Sequence, residues 1–295
     1  MPAVILIVSG RMKYRHAHHA GNFADVHKHV TLLALLTALR RKEKGFLYLE
    51  THSGRGVYDL SDSAAEACTG IMRLASAACA ATELRQYLVR VMELRRQRAS
   101  ARLYPGSPWL AAMELRAQDR AVLIEQQPAE ARALQRSLAA VPGRPRIQVE
   151  TGDGFERLRA ALPPRERRGL IFIDPPYEDT RDDFERSHAA ACEALRRFPT
   201  GVLAIWYPIK DERAIAAWQA GLARDVGRQM LLAELWLYPR DAQVALNGSG
   251  MLIVNPPYLL EEGMGSWLAE LHRHLDAGHG GGAVTRHLTR PVAKG

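Results

Sequence analysis

Asp174-Pro175-Pro176-Tyr177 closes an apolar run at residues 170–173 and carries the most specific chemistry in the chain. Proline pre-sets φ and removes a backbone donor, so two in a row fix a rigid turn. An acid and a carbonyl held in such a turn accept both N–H bonds of an exocyclic ring amine. That amine is a poor nucleophile, because its lone pair is delocalised into the ring. Holding its protons favours tetrahedral character, and the carboxylate takes a proton as the new bond to nitrogen forms. In-line attack on a methyl group carried by a sulfonium draws much of its rate from positioning. Tyr177 offers a ring against which a base withdrawn from its stack can lie.

The chain holds a near-copy, Asn255-Pro256-Pro257-Tyr258, also after an apolar run. On the tetrapeptide alone the two are equivalent, so position has to decide. Three acidic segments lie ahead of Asp174. Glu50-Thr51-His52-Ser53-Gly54-Arg55-Gly56 follows the first apolar run, and its glycines allow backbone to approach a ligand closely. Glu125 ends the second run, where a carboxylate can accept from both hydroxyls of a ribose. Asp153-Gly154 follows the third. Each has a plainer reading: a strand-to-loop turn, an exposed acid, and the N-cap of a helix over residues 155–161. Their order along the chain says more than any one of them. Asp174 follows the fourth strand and Asn255 the seventh, so Asn255–Tyr258 is read as a structural turn.

The elements that must position these groups follow from periodicity. Strands are predicted at residues 46–50, 121–125, 146–150, 170–174, 202–206, 231–237 and 251–255. Several are unbroken apolar runs, as in parallel strands covered on both faces. A terminal hairpin joins the last two, and residues 284–288 are a candidate extra edge strand. The fold class is α/β: a Rossmann-like, seven-stranded, mostly parallel sheet. It resembles class I methyltransferases, in which the last strand inserts antiparallel. A βαβ unit takes about 30 residues, so the long gap between the first two strands implies a helical insertion over residues 57–103. Its best helix, residues 83–98, has Leu84, Tyr87, Leu88, Val91 and Leu94 on one face. Arg85, Arg90, Arg95, Arg96 and Arg98 surround that face, as solvated side chains or as contacts to RNA phosphates. Another helix is predicted at residues 25–41. The expected organisation is an extension at 1–11, a methyltransferase domain at 12–56 and 104–280, and a loose tail at 281–295.

The composition is that of an ordinary soluble protein, and the net charge of +8 favours polyanionic partners. Three cysteines without a CxxC pair argue against disulfides and a structural zinc, and fit a reducing cytoplasm. The apolar run at residues 3–8 is too short to span a bilayer. Five histidines between His16 and His29 lack ligand spacing, so no metal is expected. Ser107 before Pro108 reads as an N-cap.

A denser signature surrounds these features. It comprises Tyr14-Arg15-His16, His19-Ala20-Gly21-Asn22, Ala24-Asp25-Val26 and Lys28-His29. It continues with the loop at residues 46–52, Tyr104-Pro105-Gly106-Ser107-Pro108, Asp153-Gly154-Phe155, Trp206-Tyr207-Pro208 and Ser249-Gly250-Met251. Together these resemble the bacterial 23S ribosomal RNA adenine-N6 methyltransferases of the large subunit, from about residue 12 to about residue 280. The resemblance implies methyl transfer from S-adenosyl-L-methionine to one adenine, leaving S-adenosyl-L-homocysteine. It implies cofactor contacts from His29, His52, Ser107, Glu125, Asp153, Gly154 and Asp174, with Asp174 as base. It places Tyr14, His16 and Lys28 at the mouth of the site. The implied partner is 23S ribosomal RNA, naked or early in assembly, with no membrane, met by a monomer in the cytoplasm. Glu50 stands where the family can have aspartate.

Three rival readings remain distinct. A DNA adenine methyltransferase would need a larger target-recognition domain than the insertion provides. A protein glutamine methyltransferase would carry asparagine at position 174. A non-catalytic ribosomal RNA-binding factor would have no use for Asp174–Tyr177.

Overall fold

The computed structural model describes residues 19–142, 146–240, 242, 244–276, 278 and 280–288. Its main sheet contains β1 (Leu47–Glu50), β4 (Arg120–Glu125), β5 (Arg146–Thr151), β6 (Gly169–Ile173), β7 (Val202–Ile209), β8 (Met230–Trp236), β9 (Gly248–Val254) and β10 (Gly282–Leu288). The order across the sheet is β10-β8-β9-β7-β6-β1-β4-β5. Strands β7, β6, β1, β4 and β5 run parallel, and β9 enters antiparallel between β7 and β8. This is the class I methyltransferase arrangement.

The sheet has eight strands where the sequence predicts seven. Residues 282–288, which contain the candidate edge strand at 284–288, pair antiparallel with β8 along its whole length. An unpaired β8 edge would leave a row of backbone donors and acceptors open, and β10 satisfies them.

Helices α1 (Phe23–Arg40), α5 (Ser107–Glu114), α6 (Pro128–Leu138) and α10 (Leu260–Leu275) pack on one face of the sheet. Helices α7 (Gly154–Ala161), α8 (Thr180–Arg197) and α9 (Glu212–Val226) cover the other. Between β1 and α5 the chain forms a short ladder, β2 (Val57–Asp59) with β3 (Leu103–Pro105), which encloses the α-helices α2 (Ala64–Ala67), α3 (Ile71–Ala75) and α4 (Thr82–Gln97). The insertion is therefore helical with a β-ladder at its root. Leu84, Tyr87, Val91 and Leu94 of α4 are buried in the same core as α1 and α10.

Several α4 arginines are spent within the molecule. Arg90 pairs with Glu93 and Glu114, Arg95 Nε donates to Leu103 O, and Arg98 donates to Ser137 O. They fasten the insertion to the domain.

The strand order reverses between β1 and β6, so a crevice opens at their carboxyl ends, where ligands bind in open α/β sheets. Glu50, Glu125, Thr151 and Ile173 end four of the five parallel strands at that edge.

Candidate active site

Asp174 follows β6 directly, at the centre of that edge. Lys28 of α1 reaches it: Nζ lies 2.5 Å from Asp174 Oδ2 and 2.9 Å from Asp25 Oδ1. The i, i+3 spacing on one helix sets Asp25 beside Lys28. Asp25 itself is fixed by the start of α1, where its Oδ2 accepts from Gly21 N at 3.0 Å and the N-cap Asn22 accepts from its amide. Burial alone would lower the Lys28 pKa, but the charges of Asp174 and Asp25 outweigh it and raise it. The ammonium stays charged and holds two carboxylates in a nearly dry site.

Tyr177 takes a left-handed backbone conformation (φ 51°). Its ring is 4% exposed, packed against Phe184 and edge-on to Trp206. Its hydroxyl donates to Trp206 O at 2.8 Å. The sequence reading gives this ring a base to stack on; the structure gives it the task of bracing the Asp174 loop against β7. The near-copy is built differently. Asn255 Nδ2 donates to Pro199 O at 3.0 Å and Gly201 O at 2.8 Å, far along the chain from the acids. Tyr258 is 84% exposed.

At the end of β1, Glu50 is fully buried and accepts from the Ser107 hydroxyl. Burial pushes its pKa up to about 8. The Tyr48 hydroxyl faces the same carboxylate, and the Ser53 hydroxyl is buried without a partner among the described residues. Ser107 is the first residue of α5, and Gly106 is its N-cap. The expected cap at Ser107 is thus moved by one residue, which frees the hydroxyl for Glu50. His52 packs edge-on to Phe155 at 4.8 Å between ring centroids, and burial lowers its pKa to about 4.

Glu125 ends β4 with both oxygens engaged: Oε2 accepts from Gly54 N and Oε1 from Gln127 N, each at 2.8 Å. Gly54 needs its φ of +63° to turn the loop toward that carboxylate. Asp153 caps α7 through the amides of Phe155 and Glu156. Arg186 of α8 donates to its other oxygen at 2.5 Å, which, against the effect of burial, keeps its pKa low. Gly154 passes so close to Thr51 that an added Cβ would lie 1.9 Å from Thr51 O. The β1 and β5 loops are thus interlocked. His29 lies on α1 with Nδ1 2.8 Å from the Tyr104 hydroxyl, beside the insertion. Tyr14 and His16 lie outside the described residues.

The structure therefore joins Lys28 to Asp174, Ser107 to the β1 end, and His52 to the segment after Asp153. Asp25, Arg186 and Trp206 were without a role in the sequence reading. For Asp25 the signal was its helical spacing to Lys28. For Arg186, some 33 residues from Asp153, no local signal existed. Among the described residues, one group of three brings potential metal-ligand atoms together: Cys79, Glu270 and His274. Its Glu270 oxygens already accept from the amides of Ala80 and Ala81 ahead of α4.

An acid at each successive strand end, a lysine-held carboxylate before two prolines, and an antiparallel last strand define a class I methyltransferase. The chain belongs to a particular family of them. Residues 43–288 match the family model described as "Ribosomal RNA large subunit methyltransferase D, RlmJ". The chain is 38% identical over 279 residues to Ribosomal RNA large subunit methyltransferase J of Haemophilus influenzae, covering 88% of this chain and 98% of that one. It is equally identical to the Escherichia coli protein of the same name, covering 93% of this chain and 98% of that one. A crystal structure of the Legionella pneumophila protein LPL1258 superposes with a TM-score of 0.80 at 33% identity, over 92% of this chain and 99% of that one.

Proposed function

We propose that this protein transfers a methyl group from S-adenosyl-L-methionine to the N6 amine of one adenine in 23S ribosomal RNA. The observation that carries this reading is the Lys28–Asp174 pair at the carboxyl end of β6, in a chain of the large-subunit methyltransferase family.

The residues present suit that cofactor. Glu125 is the acid for the ribose hydroxyls, and its backbone partners hold it without consuming every lone pair. Asp153 is the acid for the adenine amine of the cofactor. The partnerless Ser53 hydroxyl is a buried polar group just after β1, where a polar ligand would satisfy it. His29, His52, Ser107 and Gly154 complete the proposed cofactor set.

When bound, the cofactor supplies a methyl group on a sulfonium leaving group. Asp174 accepts an N–H of the target amine and takes the proton as nitrogen acquires its fourth bond. Lys28 pairs with Asp174 and limits its rotation. Tyr177 holds the loop. The family resemblance gives Tyr14 and His16 a part in handling the cofactor or the target adenine. The proposal extends to a monomer acting in the cytoplasm on naked or early-assembly RNA, without a metal. The net charge of +8 supports a polyanionic substrate, and no described helix is long and apolar enough to cross a membrane.

The test offers labelled S-adenosyl-L-methionine with naked 23S ribosomal RNA, assembled large subunits, duplex DNA or total protein. Label in the RNA, recovered as N6-methyladenosine on nucleoside analysis, is the expected result. Label confined to DNA or protein would overturn the reading.

A further inference from the structure

With Tyr177 packed as a brace, the site needs another surface to receive a planar base. β7 supplies one. Trp206 is the one residue of that strand that is not fully buried. The parallel register pairs Ile173 with Ile205, so the next step along each strand sets Trp206 beside Asp174. Lys28 Nζ stands 5.5 Å from the centroid of the indole, at the outer limit of cation–π contact. The Tyr177 ring meets the indole edge-on from another side, at 5.5 Å.

The tilt of the indole is fixed from behind. Trp206 Nε1 donates to Ser249 Oγ at 2.9 Å. Ser249 is fully buried on β9, and its Oγ lies 2.9 Å from His27 Nδ1 of α1. An indole N–H can only donate. Ser249 Oγ therefore accepts from Trp206, and it shares a second hydrogen bond with His27 Nδ1. Burial holds the His27 ring neutral. The same helix α1 carries Lys28, so one element sets both the cation and the far end of the relay. Elaborate fixing of a partly exposed indole beside a reactive carboxylate is a poor bargain for packing alone. It suits a surface that must meet a ligand at one angle.

We propose that Trp206 is the stacking wall of the target-base pocket, and that Ser249 and His27 are positioning residues that set its angle. This rests on the reading of the protein as an adenine methyltransferase and names the surface that receives the adenine.

The test uses the full chain as Trp206→Leu, Trp206→Phe and Ser249→Ala. Initial rates are measured on naked 23S ribosomal RNA, S-adenosyl-L-homocysteine affinity by calorimetry, and folding by thermal melting. Stacking on an aromatic ring predicts that Trp206→Leu raises KM for the RNA about tenfold or more, and that Trp206→Phe recovers most of it. Affinity for S-adenosyl-L-homocysteine should stay near wild type in both. Ser249→Ala, which keeps the ring but frees its angle, should raise KM less than Trp206→Leu does. An unchanged KM in Trp206→Leu, or equal defects in the Leu and Phe variants, would overturn the proposal. If Trp206→Leu does not fold, Ser249→Ala and Trp206→Phe decide it by the same KM measurement. Nucleoside analysis of the wild-type product tests the underlying reading separately: absence of N6-methyladenosine would sink that reading whatever the variants do.

Discussion

Lys28 Nζ lies 2.5 Å from Asp174 Oδ2, with the two side chains 5% and 11% exposed. A cation so placed leaves two buried carboxylates uncompensated when it is removed. Lys28→Met should therefore lose about 3–5 kcal/mol of stability, read by urea unfolding. Methyl transfer should fall by about 100-fold or more, since Asp174 would lose both its charge partner and its fixed orientation. A variant with wild-type stability and rate would show the pair to be incidental.

Glu50 gives a pH signature. Its folded pKa of about 8 lies above the ordinary carboxylate value because of burial. Below the unfolded value both states hold the proton, so the contribution to stability is complete. As pH rises, the unfolded chain releases the proton while the folded chain keeps it, and stability falls until about pH 8. Glu50→Gln has no such proton. Its stability advantage over wild type should grow by about 1.4 kcal/mol per pH unit across that window and level off above it. Parallel pH curves for the two proteins would rule out a buried, protonated Glu50.

Glu125 bridges the amides of Gly54 and Gln127. Glu125→Ala removes the carboxylate that anchors Gly54 of the β1 loop and Gln127 after β4. S-adenosyl-L-homocysteine affinity should drop about tenfold or more by calorimetry, consistent with losing charged hydrogen bonds. Affinity within the error of wild type would remove Glu125 from the cofactor set.

Asn255 separates the true motif from its copy. Asn255→Ala loses two hydrogen bonds to backbone carbonyls and places alanine at a φ of 52°. Stability should fall by about 2 kcal/mol. The rate of methyl transfer by the folded variant should stay at the wild-type level. A large loss of rate without loss of stability would return the near-copy to contention.

The legible part of this molecule was the part written in local periodicity. The apolar runs of the parallel strands, the amphipathic face of α4 and the Asp174 loop could all be read from neighbouring residues. The chain order of Glu50, Glu125 and Asp153 located the site, because the fold converts order into adjacency at one sheet edge. Long-range choices were not legible. Whether the α4 arginines face solvent or the domain depends on Glu114, Leu103 O and Ser137 O, which only the folded chain brings near. β10 was legible only as a candidate edge strand at 284–288, and its pairing is set by the open edge of β8. The burial of Tyr177 depends on Phe184 and Trp206, so its ring looked available in a sequence that gave no hint of its packing. Ser107 looked like a cap, and the one-residue shift to Gly106 revealed its bond to Glu50.

The central claim is that Asp174 is the group that receives the proton of an adenine amine. The most direct test compares wild type with Asp174→Ala on naked 23S ribosomal RNA with labelled S-adenosyl-L-methionine, with calorimetry confirming that the variant still binds S-adenosyl-L-homocysteine. N6-methyladenosine formation should fall by about 100-fold or more in the variant. Equal incorporation by the two proteins would contradict the account.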